Sequence, residues 1–137
     1  MAKTLHKVGY FSAETPHTAG QGLRVLAALR NAGVNLLAYS GFPDGRKAQL
    51  VFVPANPGQF KAVARKIKLK ISPKKIAFLL QGDDKVGALN DTLSKLAAAR
   101  INLTALTGVT AGAGRFGAIF WVKPKSVAKT TKLLRPK

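Results

Sequence analysis

Apolar and polar positions follow two periods along this chain. Val8 to Phe11 is a short apolar run between polar residues, which predicts a strand. Leu23, Leu26, Leu29 and Ala32 recur at helical spacing, and Gly33 stands where a helix stops. Val34 to Tyr39 is strand-like. Phe42-Pro43-Asp44-Gly45 predicts a turn, since Pro presets φ, Asp bonds its own backbone and Gly accepts positive φ. Leu50 to Val53 is a continuous apolar run and predicts a buried strand. Asn56-Pro57-Gly58-Gln59 is a helix start, with Asn as cap, Pro first in the helix and Gln three after the cap. Phe60, Val63, Ala64 and Ile67 then line one helical face. Lys68 to Ile71 alternates charged and apolar residues, a half-exposed strand that completes a βαββαβ unit.

The second half repeats the first. A shift of about 67 residues brings Phe11 onto Phe78, Gly20 onto Gly87, Asn35-Leu36 onto Asn102-Leu103 and Gly41 onto Gly108. Ile76–Leu80 reads as a strand, and Leu89, Leu93 and Leu96 as a helical stripe. Ile101–Leu106 and Phe116–Val122 read as strands around a turn at Gly112 and Gly114. Ser126 reads as the cap of a helix carrying Val127, Thr131 and Leu134. Ser72-Pro73 marks the border, because Pro interrupts the chain between two strands. The expectation is an α+β protein of two ferredoxin-like units, residues 1–72 and 73–137, the second without its last strand. Right-handed crossovers put the helices of each antiparallel sheet on one face. Small single-sheet units and an open strand edge also predict pairing into a homodimer.

Composition narrows the function. The 137 residues include 23 Lys and Arg against 5 Asp and Glu, a formal charge of +18, yet 47% are hydrophobic, too many for a disordered basic tail. Cys is absent, which removes disulfides, thiolate metal sites and a Cys nucleophile. No apolar run approaches the roughly 18 residues of a membrane helix. The polar start, Met1 to Lys7, lacks the apolar stretch of a secretory signal, so the expectation is a cytoplasmic protein with no membrane partner. No G-x-S-x-G elbow, G-x-G-x-x-G loop or P-loop occurs, and His6 and His17 lack a spaced ligand set. The sequence therefore predicts no enzyme, no metal and no cofactor.

Gly82-Asp83-Asp84-Lys85-Val86-Gly87-Ala88-Leu89, followed by Leu93, Leu96, Ala97-Ala98 and Ile101-Asn102-Leu103, resembles the signature of the ACT domain. A looser copy runs through Glu14-Thr15-Pro16, Gly20-Gln21-Gly22-Leu23 and Gly33-Val34-Asn35-Leu36. The resemblance covers nearly the whole chain. It implies a regulatory module that binds a small ligand, often an amino acid, at the interface between paired units. Matched position by position, it implies Asp83, Asp84, Gly87, Ala88, Leu89 and Asn102 as ligand contacts, with Thr15, Pro16, Gly20 and Asn35 in the first copy. The first copy has no Asp in its loop and carries its Leu one place later, which puts that pocket in doubt.

Elementary chemistry runs beside the resemblance. A loop entering a helix offers unpaired N–H groups and a positive dipole end to a carboxylate, and an Asp nearby suits an ammonium group. Asp83 or Asp84 would alternatively cap the helix, and Gly87 would serve a turn. Asn35 and Asn102 either bond local backbone or reach a ligand. Nucleic acid is the rival partner. Arg115-Phe116-Gly117-Ala118-Ile119-Phe120-Trp121 partly resembles the RNP1 pattern of the RRM, which shares βαββαβ topology and stacks bases on aromatics of its central strands. Charge also gathers on the second helix of each unit and the segment after it, a basic surface for an acidic partner or nucleic acid. Most of the acids lie in or near the two ligand loops.

Overall fold

The computed structural model describes residues 3–137. Its elements run β1 (Thr4–Pro16), α1 (Gln21–Asn31), β2 (Leu36–Asp44), β3 (Lys47–Pro54), α2 (Pro57–Lys66), β4 (Lys75–Asp83), α3 (Asn90–Ala98), β5 (Leu103–Gly112), β6 (Arg115–Val122), a 3-10 turn at Pro124–Ser126 and α4 (Val127–Leu134). Two compact units emerge. The first repeat is Gly9–Lys75; the second is Ile76–Lys137 together with the early residues of β1 up to Val8. No helix among the described residues is long and apolar enough to cross a membrane.

In the first repeat the strand order is β2-β3-β1, antiparallel throughout. Phe11 of β1 stands opposite Phe52 of β3, and α2 sets Phe60 against both rings, at 5.0 and 5.1 Å. All three rings are fully buried, with Val25 and Leu29 of α1 beside them. Burial of each such ring contributes about 1.5–3 kcal/mol. The second repeat uses the same device. Phe78 of β4 stands opposite Phe120 of β6, their rings stack at 5.3 Å, and Leu96 of α3 covers them.

Helix ends follow the sequence closely in places. Asn56 caps α2, its Oδ1 accepting the Gln59 N–H at 3.0 Å, with Pro57 opening the helix. Gln59 does not close the reciprocal half of that box; its amide donates to the Ala32 carbonyl instead. Helices α1, α2 and α3 end alike. Gly33, Lys68 and Arg100 take left-handed φ, and the next N–H returns to the carbonyl of Leu29, Ala64 or Leu96.

Four local expectations are corrected. Lys68–Ile71 forms no regular strand, because the end of α2 takes the Leu69 N–H and Pro73 has none. What remains beside β1 is a pair of bonds: Ser72 N–H to the Ser12 carbonyl, and Ser12 N–H to Ser72 Oγ. Phe42-Pro43-Asp44 continues β2, and the hairpin turns at Gly45-Arg46, where Gly45 supplies the positive φ. Ser126 makes no side-chain cap to α4; Thr130 Oγ1 donates to the Ser126 carbonyl. Gly82 and Asp83 end β4 and do not belong to the loop.

The second repeat has no strand of its own after α4. A βαββαβ sheet carries its fourth strand beside its first. Thr4–Val8, the early half of β1, occupies that place next to β4, giving the order β1-β4-β6-β5. Strand β5 is the edge. Its ten residues include no charged side chain, and all but Leu103 are exposed.

Candidate functional site

The loop between β4 and α3 folds over the helix-side face of β5. Asp84 N–H donates to the Gly114 carbonyl at 2.8 Å and pins the loop to the β5–β6 hairpin. The same bond recurs in the first repeat, from His17 N–H to the Arg46 carbonyl at 2.9 Å. Gly87 takes φ 72° and turns the chain into α3, where the Asn90 N–H returns to its carbonyl. Leu89 is the N-cap residue and offers no side-chain bond, so neither Asp83 nor Asp84 caps the helix.

A hollow of about 450 Å³ lies between this loop and β5. Asp84, Lys85, Gly87, Ala88, Leu89 and Asn90 form one wall. Leu106, Gly108 and Thr110 of β5 alternate along the floor, and the buried Phe116 ring closes one side. Thr110 Oγ1 donates to Asp84 Oδ2 at 3.1 Å, tying the carboxylate to the edge strand. The chemistry is mixed: one carboxylate, one ammonium at Lys85, loop backbone at the start of a helix, and apolar side chains beyond them.

Among the residues expected at a ligand, Asp84, Gly87, Ala88 and Leu89 meet here. Asp83 does not line this hollow; it pairs with Arg115 Nη1 at 2.8 Å. Asn102 lies just before β5, at the end of the strand remote from the loop, and is exposed. Asn35 holds the corresponding place before β2, where its carbonyl accepts the Ala55 N–H at 2.9 Å. Thr15 and Pro16 end β1, and Gly20 is the N-cap of α1 with φ 90°. Pro16 and Gly20 are exposed, whereas Thr15 is buried and its Oγ1 has no hydrogen-bond partner among the described residues.

The first copy is built differently at this point. Tyr39 holds the place of Leu106, and its hydroxyl would stand 3.1 Å from a Cβ on Gly22 and 3.7 Å from one on Gly41. Burial pushes the Tyr39 phenol pKa up. Pro43 and His17 stand where Thr110 and Asp84 are, so the bond that fixes the carboxylate has no counterpart. The facing pair beneath also differs: Thr15 opposes Ala48, while Gly82 opposes Phe116. A Cβ on Gly82 would lie 2.9 Å from Phe116 Cε1, so the small residue makes room for the ring.

Leu106, Gly108, Thr110 and Phe116 were not among the expected contacts. Their signal was available in the period of two along Leu106-Thr107-Gly108-Val109-Thr110 and in the repeat match of Gly41 with Gly108. Phe78 and Phe120, on the two central strands, are 0% and 1% exposed and face the helices, so these two rings offer no surface for a base to stack on; Trp121, next along β6, is half-buried and lies on the opposite face.

No known protein-family profile matches the chain, and neither does any curated protein. Solved structures do. Protein BT0572 from Bacteroides thetaiotaomicron aligns with a TM-score of 0.81 at 14% identity, over 96% of this chain and 88% of that one. The ligand-free regulatory subunit of aspartate kinase from Thermus thermophilus aligns at 0.63 and 12% identity, over 98% and 93%. A structure of aspartokinase alpha and beta subunits aligns at 0.61 and 13%, over 98% and 95%. At these identities the likeness is one of fold, and it agrees with the β-α-β-β-α repeats and the loop signature: the chain has the ACT-type fold, two ferredoxin-like repeats in tandem, as found in regulatory subunits of aspartate kinase.

Proposed function

We propose that this protein is a non-catalytic regulatory module that binds a small amino-acid-like ligand through the β4–α3 loop of its second repeat. The observation that carries the reading is the hollow itself. A ligand carboxylate fits the N–H groups at the start of α3, and its ammonium group fits Asp84, already oriented by Thr110. The apolar lining of Leu89, Leu106 and Phe116 takes a side chain. The first copy, with Tyr39 over Gly22 and no acid in its loop, is the weaker site or none. Asp83, Asn102, Thr15, Pro16, Gly20 and Asn35 remain candidates where a second unit meets the site.

Pairing belongs to the same proposal. The hollow is shallow and open along β5, an uncharged edge that edge strands normally avoid. A second copy along that edge would cover the strand and enclose the ligand between units. The regulatory role is supported by the likeness of fold to the regulatory subunit of aspartate kinase from Thermus thermophilus. Thermal melting with each of the twenty amino acids at millimolar concentration tests the ligand, since binding to the folded state raises Tm by mass action. A shift with one chemical subset of amino acids is expected; no shift with any of them contradicts the proposal. Light scattering should report a dimer, and a monomer at working concentration contradicts the pairing.

A further inference from the structure

Seven cations lie between Lys61 and Lys75 with no acidic residue among them. All seven are exposed. The apolar residues of the same stretch turn the other way: Phe60, Val63 and Ala64 are buried, and Ile67, Leu69 and Ile71 pack on the same core. The stretch is anchored. Leu69 N–H reaches the Ala64 carbonyl at 2.8 Å, and Ser72 N–H reaches the Ser12 carbonyl at 2.9 Å. Lys68 adopts φ 59°, the conformation glycine takes at the end of α1, so a cation stands here despite a conformational cost. None of the seven forms an ion pair among the described residues.

We infer that this ridge docks nucleic acid through its phosphate backbone. Phosphate contacts need cations in fixed register and little else. Insertion into a membrane would need exposed apolar side chains beside the cations, and among the described residues every exposed large hydrophobic residue lies outside residues 57–75. A protein interface is centred on aromatic and apolar anchors and is poor in Lys. The ridge offers no such anchor, since its single aromatic, Phe60, is fully buried. The absence of an exposed ring also predicts contact that does not read sequence.

The test uses the full chain and a labelled oligothymidylate of roughly 20 nucleotides, followed by anisotropy across a salt series. The affinity should fall on a log–log plot with a slope of about −0.7 for each phosphate neutralised, so four or five contacts give a slope near −3. Replacing Lys66, Lys68 and Lys70 together by Gln should flatten the slope by about 2 and weaken low-salt binding at least about tenfold. A control carrying Lys7→Gln, Lys95→Gln and Lys123→Gln has the same net charge and should keep the wild-type slope. Equal losses in both variants would overturn the inference, as would no binding at low salt. Capture by phosphatidylserine vesicles in place of the oligonucleotide would overturn it too. Melting curves confirm that both variants fold, and the readout is independent of any amino-acid ligand.

Discussion

Gly108 gives the candidate site its sharpest test. It sits on the floor of the hollow, and its backbone is not left-handed, so a side chain is allowed there. A Cβ would stand 3.3 Å from Leu89 Cδ1, 3.7 Å from Ala118 Cβ and 3.9 Å from the Gly117 carbonyl. The tight neighbour is the tip of a flexible leucine. Gly108→Val therefore adds its methyl groups to the open hollow and not to a closed core. Strand propensity favours the change by up to about 1 kcal/mol. Crowding against Leu89 opposes it, at the low end of the roughly 1–3 kcal/mol of an overpacked core. The ligand-free protein should stay within about 1 kcal/mol of wild type, a few degrees in Tm for a domain of this size. Binding should respond far more. A ligand present at roughly 100 times its Kd adds about 2.7 kcal/mol to the wild type. Methyl groups in its space should remove most of that gain. The assay is thermal melting of both proteins with and without the most stabilising amino acid, with circular dichroism to confirm the fold. A folded Gly108→Val protein that keeps the full ligand-induced shift would refute the placement of the ligand.

Three further outcomes follow from the packing. Thr15→Val keeps the shape and removes a buried hydroxyl with no partner among the described residues, so urea unfolding should show a gain of about 1 kcal/mol; a loss would mean the hydroxyl is bonded. Gly82→Thr should cost about 1–3 kcal/mol against the Phe116 ring. Combined with Phe116→Ala, which recreates the Thr15–Ala48 pairing of the first repeat, it should show favourable coupling of at least about 0.5 kcal/mol in a double-mutant cycle. Asn56→Ala should cost about 1 kcal/mol by losing the cap of α2, and an unchanged unfolding midpoint would contradict that bond.

What was readable in the sequence is what local chemistry decides. Asn56-Pro57 announced α2, because cap and first-turn residues act over four positions. The opposed phenylalanines stood in equivalent places of the repeat, and the cores form around them. What was not readable depends on partners far along the chain. Thr4–Lys7 carries no strand pattern of its own, yet it lies beside β4 and completes the second repeat. Lys68–Ile71 alternates like a strand but loses its first donor to the end of α2. The two asparagines show the limit of matching by signature. In a right-handed β-α-β crossover the two strands run parallel, so the residue opening the second lies far from the loop ending the first. Within one repeat, Asn35 and Asn102 therefore stand at the opposite end of the sheet from Gly20 and Gly87. Gly108 and Thr110, by contrast, reach the loop because β5 runs on beyond the apolar stretch that announced it.

The central claim is that the β4–α3 loop of the second repeat receives a small amino-acid-like ligand. Two-dimensional amide NMR, titrated with the amino acid that most raises Tm, tests it most directly. Saturable shifts grouped at Gly87, Ala88, Leu89, Asn90 and Gly108 are the predicted result. Shifts confined to other residues, with these five amides unmoved at saturation, would contradict it.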